Sequence, residues 1–221
     1  PQGALATYFR LTPRYTLYHT AWEGVAPDKA VVPVAANLDA LLADGTLAQL
    51  ELYLADRPRR ESAVSEMMER MGDYDCVLFD CPPSLSLIIV NAFYAADALI
   101  APVQMELLSF KGVLQTLEYA QFMGRYLQYQ PEFFGVVPTM YREDNPWHRH
   151  WLERTREGMP EAKLLEAIPF DPAIPDGLNR GMTAFDVSED SPAARAYTHL
   201  AQGIASELEA ATSSSSSVGA Q

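Results

Sequence analysis

Short apolar runs alternate with amphipathic stretches along most of this chain, and the alternation predicts strands joined by helices. Residues 76–79, 98–102, 134–139 and 164–168 are apolar runs; the first three have the continuous form of strands buried on both faces of a parallel sheet. Between and after them, residues 85–95, 109–126, 147–158 and 192–211 carry helical periodicity, the second of these helices opening on a serine cap at Ser109. In the first half the pattern is less regular. Residues 16–22 predict a short helix broken by Gly24 and Pro27, residues 38–42 a short strand, and residues 46–54 a helix. Pro58 separates that helix from another over residues 60–71, with Val64, Met67, Met68 and Met71 on one face. A proline-rich loop is expected to run to Pro175. Strands alternating with helices imply an α/β fold with a doubly wound, mostly parallel sheet, whose ligands lie beyond the carboxyl ends of the strands. The expected organisation is a single α/β domain over residues 1–211 and a disordered serine-rich tail over residues 212–221.

Composition narrows the class. The 221 residues are 48% hydrophobic and 20% charged, the balance of an ordinary soluble globular protein, and no apolar run reaches the length of a membrane span. Two cysteines give no disulfide framework and no metal-ligand spacing, which fits a reducing, cytoplasmic compartment. With 16 basic against 29 acidic residues the net charge is -13, so any contact with DNA has to use a local basic patch. The chain opens on Pro1 with no initiator methionine or signal segment, and is read as part of a longer product.

The most informative segment is residues 73–84, DYDCVLFDCPPS. An apolar strand that delivers a carboxylate at its C-terminal end is how nucleotide hydrolases hold magnesium, and Asp80 stands in that position. Taken alone, such a strand is more often a structural strand end. The following Cys81-Pro82-Pro83 fixes the backbone beside the carboxylate and suits a rigid loop next to a γ-phosphate.

This strand-Asp-x-Pro-Pro-Ser pattern, with Asn91-Ala92, Ala96-Asp97, PTMYRED from Pro138 and AIPFDPAIPDGLNRGMTAFDV from Ala167, resembles the ParA/MinD family of deviant Walker ATPases, in its partitioning branch. Pro1-Gln2-Gly3 resembles the end of the family's first switch element. The resemblance implies ATP and magnesium as cofactors, with Asp80 as the catalytic Walker B residue that meets the magnesium shell. It places Gln2, Gly3, Pro82, Pro83 and Asn91 around the nucleotide, and Thr139, Met140, Pro169 and Phe170 at the adenine. For those last four, loop packing is the competing reading. Gln104 and Glu106 face either the site, a subunit interface or solvent.

The resemblance further implies an ATP-driven homodimer, a ParB-like partner, association with non-specific DNA, possible association with the nucleoid, and no membrane binding. Arg142 fills one of two arginine positions expected to touch DNA, while Phe170 takes the other. Arg149, Arg154 and Arg156 are interleaved with Glu153 and Glu157 and read as a solvated face, and His148 and His150, at i and i+2, do not share a helix face for a metal. The final helix lacks the basic amphipathic character of a membrane-targeting end. The aromatic group Tyr8, Phe9, Tyr15, Tyr18 and Trp22 reads as core packing or as a partner surface.

The sequence contains no Lys-Gly-Gly-x-Gly-Lys-Thr run; its lysines are Lys29, Lys111 and Lys163, none among glycines. About one βαβ unit of the family pattern is therefore unaccounted for. The expectation is a chain that does not hydrolyse ATP as it stands and that exposes an unpaired strand edge. The alternative, from a different class, is a non-catalytic interaction or regulatory module.

Overall fold

The computed structural model describes residues 3–82, 86–160 and 162–218, with side chains of residue 4 and residues 211–218 left aside. Gln2 and Pro83, among the expected nucleotide contacts, lie outside the described residues. The chain forms two compact units, residues 1–99 with 117–132, and residues 100–116 with 133–221.

The first unit begins with α1 (Ala4–Tyr8) and α2 (Leu17–Ala21). Helix α2 starts on a capping box in which Thr16 and His19 satisfy each other's end groups, with His19 Nδ1 accepting from the Thr16 amide at 3.0 Å. A 3-10 turn over Pro27–Lys29 leads to an antiparallel hairpin of β1 (Val31–Ala35) and β2 (Leu38–Leu41). Strand β1 was not expected, because Pro33 interrupts its β-branched run. The hairpin accommodates the missing N–H with an irregular register between Pro33 and Ala35.

Helices α3 (Leu47–Ala55), α4 (Ala63–Met68) and α5 (Leu87–Ala95) complete this unit's core. Leu47, Leu50 and Leu54 recur at i, i+3 and i+7 on α3, and all three are buried against Tyr18, Ala63 and Ile88. Each contributes about 1.5–3 kcal/mol by leaving water. Helix α4 is shorter than the periodicity over residues 60–71 suggested, ending at Met68, although Val64 and Met67 are buried as expected.

Two strand expectations are corrected. Residues 76–79 do not form a strand buried on both faces: they make no strand, Val77 is 39% exposed and Leu78 80% exposed. A strand exists only where a neighbour completes its hydrogen-bond ladder, and among the described residues no backbone bond joins this segment to another. Strand β3 (Ala98–Gln104) forms, but with Ala98, Pro102 and Gln104 exposed, its faces are only partly covered.

Strand β3 pairs with β4 (Glu132–Thr139), both mostly in the second unit, and α6 (Leu107–Leu127) joins them, its residues 107–116 counted with the second unit and 117–127 with the first. Helix α6 starts two residues before Ser109, whose hydroxyl donates to Glu106 instead of capping the helix. Residues 134–138 of β4 are all buried, as its continuous apolar run required. Parallel bridges join Val136 to Leu164 and Tyr141 to Pro169, so residues 164–168 contribute ladder contacts without forming a full strand. Gly135 lies so close to the Lys163 carbonyl that no Cβ would fit between them.

Helices α7 (Pro146–Gly158), α8 (Ala173–Arg180), α9 (Ala184–Val187) and α10 (Pro192–Val218) follow. The expected loop to Pro175 is in fact the start of α8; a proline in the first turn gives up no intrahelical bond. Val137, Ile168, Ala193 and Ala196 form the core of this unit.

Candidate functional site

Asp80 ends the apolar run of the first unit. Its side chain is exposed and, among the described residues, makes no hydrogen bond or ion pair. That leaves the carboxylate available to an outside cation. Among the described residues no group of three or more histidine, cysteine, aspartate or glutamate side chains could hold a metal ion, so Asp80 stands as a single carboxylate. Pro82 follows at once and restricts the backbone there.

Asn91 sits on α5 and is completely buried. Its Nδ2 donates to the carbonyls of Arg60 and Leu87, both at 2.9 Å, and its Oδ1 accepts from the Val64 amide at 3.3 Å. All of its polar atoms are therefore spent on backbone, and its structural part is to clamp the start of α4 onto α5. The first turn of α5 is met from α3, where Glu51 accepts from the Ile88 amide at 3.4 Å, an acid placed at a helix N-terminus. Gly3 caps α1 in the left-handed region at φ 62, its carbonyl accepting from the Thr7 amide at 3.0 Å and from the Thr7 hydroxyl at 3.2 Å.

The second unit brings the other candidates together. Thr139 closes β4, and Met140 follows in the left-handed region at φ 50, a conformation that costs a non-glycine residue about 1 kcal/mol or more. The ladder then resumes: Tyr141 donates to the Ile168 carbonyl at 3.0 Å and Phe170 to the Tyr141 carbonyl at 2.9 Å. Thr139 and Met140, in the turn that closes β4, thus lie beside Pro169 and Phe170, which reach them across the Tyr141–Pro169 bridge at the carboxyl end of β4, where an α/β sheet receives ligands. Met140 is 52% and Phe170 47% exposed, which leaves a flat apolar surface open to solvent. Arg142 is in the same turn, its guanidinium 4.1 Å from the centroid of the Phe170 ring, and its amide donates to His148 Nδ1 at 3.0 Å.

Gln104 and Glu106 are both exposed, Gln104 at the end of β3. Glu106 occupies the start of α6, its carbonyl accepting from Phe110 at 3.0 Å. Of the arginines on α7, Arg154 and Arg156 pair with Glu157 and Glu153, the solvated face expected of them. The aromatic group divides: Tyr18 is core, whereas Trp22 is exposed and stacks on Tyr53.

Sequence reasoning passed over Asp171. This carboxylate is only 7% exposed and accepts from the amides of Ala173 and Ala193, each at 2.9 Å, fastening α8 and α10 directly beyond Phe170. Burial pushes its carboxyl up, but the amides of Ala193 and Ala173, the Ser191 hydroxyl and the charge of Arg195 outweigh burial and hold it below the ordinary value. The available signal was an aspartate before a proline, at a helix start.

Residues 5–131 match a sequence family described as an AAA domain. Over 213 residues the chain is 30% identical to the chromosome partitioning protein ParA of Caulobacter vibrioides, covering 93% of this chain and 80% of that one. It is also similar to solved structures: apo McdA of Cyanthece, with TM-score 0.81 and 19% identity over 92% of this chain and 84% of that chain. Cobyrinic acid a,c-diamide synthase of Mycobacterium smegmatis, solved with bound ADP and magnesium, gives TM-score 0.70 and 29% identity over 76% of this chain and 71% of that chain.

Proposed function

Because this chain belongs to the ParA/MinD family of deviant Walker ATPases, we propose that it is a ParA-like partitioning ATPase component, with Asp80 on the magnesium side and the 139–142 and 169–170 turn on the adenine side. The observation that carries this reading is the 30% identity to a chromosome partitioning protein across 93% of the chain. Two features of geometry support it. Asp80 is an exposed carboxylate with no partner among the described residues, and the candidate base contacts lie beside one another at a turn that holds Met140 at positive φ.

When bound, magnesium neutralises charge on the phosphates. The residues of this chain do the positioning. Asp80 would hold the ion, Pro82 fixes the backbone beside that carboxylate, and Asn91 keeps the start of α4 clamped to α5. Met140 and Phe170 offer apolar surface to the base. None of the 221 residues forms a glycine-rich lysine loop, so the phosphates require groups from outside them. In this reading the chain does not turn over ATP without such groups. With them it forms a homodimer on ATP, associates with DNA and answers to a ParB-like partner in the cytoplasm.

MgATP binding and hydrolysis should be measured on this chain and on the product read from any in-frame codons preceding Pro1. Turnover only where a glycine-rich lysine loop is present, and its loss in Asp80→Ala, is the expected result. A protein containing such a loop that neither binds nor hydrolyses MgATP overturns the ATPase reading. One observation favours a second reading, a non-catalytic interaction module: the apolar run at Val77 and Leu78 lies uncovered, as a surface that pairs with another chain would.

A further inference from the structure

The second half of α6 carries an aromatic residue on the side of the helix that faces away from the protein. Ala120, Met123 and Gly124 are buried and mark the inward side of this stretch. Glu118, Phe122 and Arg125, at i, i+4 and i+7, fall on the opposite side, where an amphipathic surface helix is polar. All three are exposed, Phe122 at 56%, and Tyr126 flanks them at 70%. None of these residues belongs to the candidate nucleotide site.

The charges on either side of Phe122 are uncommitted. A helical residue meets its neighbours three and four positions away. For Glu118 those are Leu114, Gln115, Gln121 and Phe122; for Arg125 they are Gln121 and Phe122, the helix ending at Leu127. Neither finds an opposite charge on its own helix, and neither has an ion-pair partner among the described residues.

An acid, an aromatic and a base in this order are complementary to the same stripe turned end for end. At a rise of 1.5 Å per residue, Glu118 lies about 6 Å to one side of Phe122 and Arg125 about 4.5 Å to the other. A second copy related by a two-fold axis at Phe122 therefore sets each Arg125 within about 1.5 Å, along the helix, of the other copy's Glu118, with the two Phe122 rings at the centre. A parallel arrangement would bring like charges together, so the charge order selects the antiparallel one. The net charge of -13 opposes self-association, but that repulsion is spread over the whole surface and is screened beyond about 8 Å at physiological salt, whereas these pairs touch. A charge-balanced stripe offers no field to nucleic acid, and one phenylalanine and one tyrosine are too little apolar surface for a membrane.

We propose that this face of α6 is a self-association surface, on which two copies of the chain meet antiparallel without nucleotide. The contact uses none of the residues placed at the nucleotide, so its test leaves the ATPase reading untouched. Two helical turns from each copy cover less than the roughly 800 Å² per partner of a standard interface, which makes the contact weak and transient.

The test is sedimentation velocity of the full chain without nucleotide, over about 5–200 µM, a range suited to a weak interface. A reversible dimer is expected. Phe122→Ala, Glu118→Arg and Arg125→Glu should each weaken it at least about tenfold. The double swap Glu118→Arg, Arg125→Glu should restore it to within about twofold, and so should an equimolar mixture of the two single charge variants, each of which supplies the sign the other lacks. Restoration by the mixture also shows that both single variants fold. A dimer that the charge variants do not weaken, or one that neither the double swap nor the mixture restores, would overturn the proposal. So would a chain that stays monomeric throughout, which would leave the face to a partner of different sequence.

Discussion

The guanidinium of Arg142 rests on the ring of Phe170, 4.1 Å from its centroid, so the two positions at which the family resemblance expects arginines are direct neighbours. With phenylalanine at the second, only one cation is available there, and it is laid against a ring. Phe170→Arg places two cations side by side. The expected outcome is tighter DNA association, with a plot of log affinity against log salt steeper by about one. An unchanged slope would remove this turn from any DNA contact.

Asp80 contributes to chemistry without contributing to the fold. Its exposed carboxylate has no partner to lose, so Asp80→Ala should leave stability within about 0.5 kcal/mol while abolishing magnesium-dependent hydrolysis in a protein that has it. Thermal melts beside turnover assays separate the two effects, and unchanged turnover removes Asp80 from the site.

Asn91 should behave in the opposite way. Asn91→Ala leaves the Val64 amide and the carbonyls of Arg60 and Leu87 without their partner in a buried position, and is expected to cost about 3 kcal/mol in urea unfolding. A loss under about 0.5 kcal/mol would show that the clamp is not formed.

Asp171 gives acid sensitivity. Its carboxyl is held below the ordinary value in the folded state, so its contribution is fully present above the unfolded pKa of about 3.9 and is lost as pH falls through the folded value. Asp171→Asn should destabilise the protein by about 1–3 kcal/mol at neutral pH and flatten the decline in stability below about pH 4. A variant whose acid unfolding curve overlies the parent's would contradict this.

Gly135 is required by close approach. A methyl group there would meet the Lys163 carbonyl across the β4 ladder, and Gly135→Ala is expected to cost about 1–3 kcal/mol, read as a lower melting temperature.

Helices with regular apolar spacing were legible from sequence: α3, α5, α6 and α7 lie where periodicity placed them, and β4 where five buried residues run together, whereas α10 begins as expected but continues to Val218, through serines expected to lie in a disordered tail after residue 211. Local pattern failed where a second segment decides the outcome. Val31, Val32 and Val34 make a strand because β2 pairs with them despite Pro33, whereas residues 76–79 have the composition of a strand and no ladder neighbour among the described residues. Helix α8 was hidden because Pro175 and Gly177 read as turn formers. Gly177 is needed there because a Cβ would meet the Met182 carbonyl at 2.6 Å. At the site, the adjacency of Met140 and Arg142 to Phe170 was suggested only by family resemblance, since a single bridge between Tyr141 and Pro169 creates it. The buried roles of Asn91 and Asp171 depend on backbone groups that no side-chain pattern displays.

Val77 and Leu78 carry one more implication, for the amount of this protein a cell retains. Chaperones and proteases act on apolar backbone that lacks hydrogen-bonded neighbours, and this segment offers it without any unfolding of the rest. Whatever covers these two residues would lengthen the life of the chain, tying abundance to assembly.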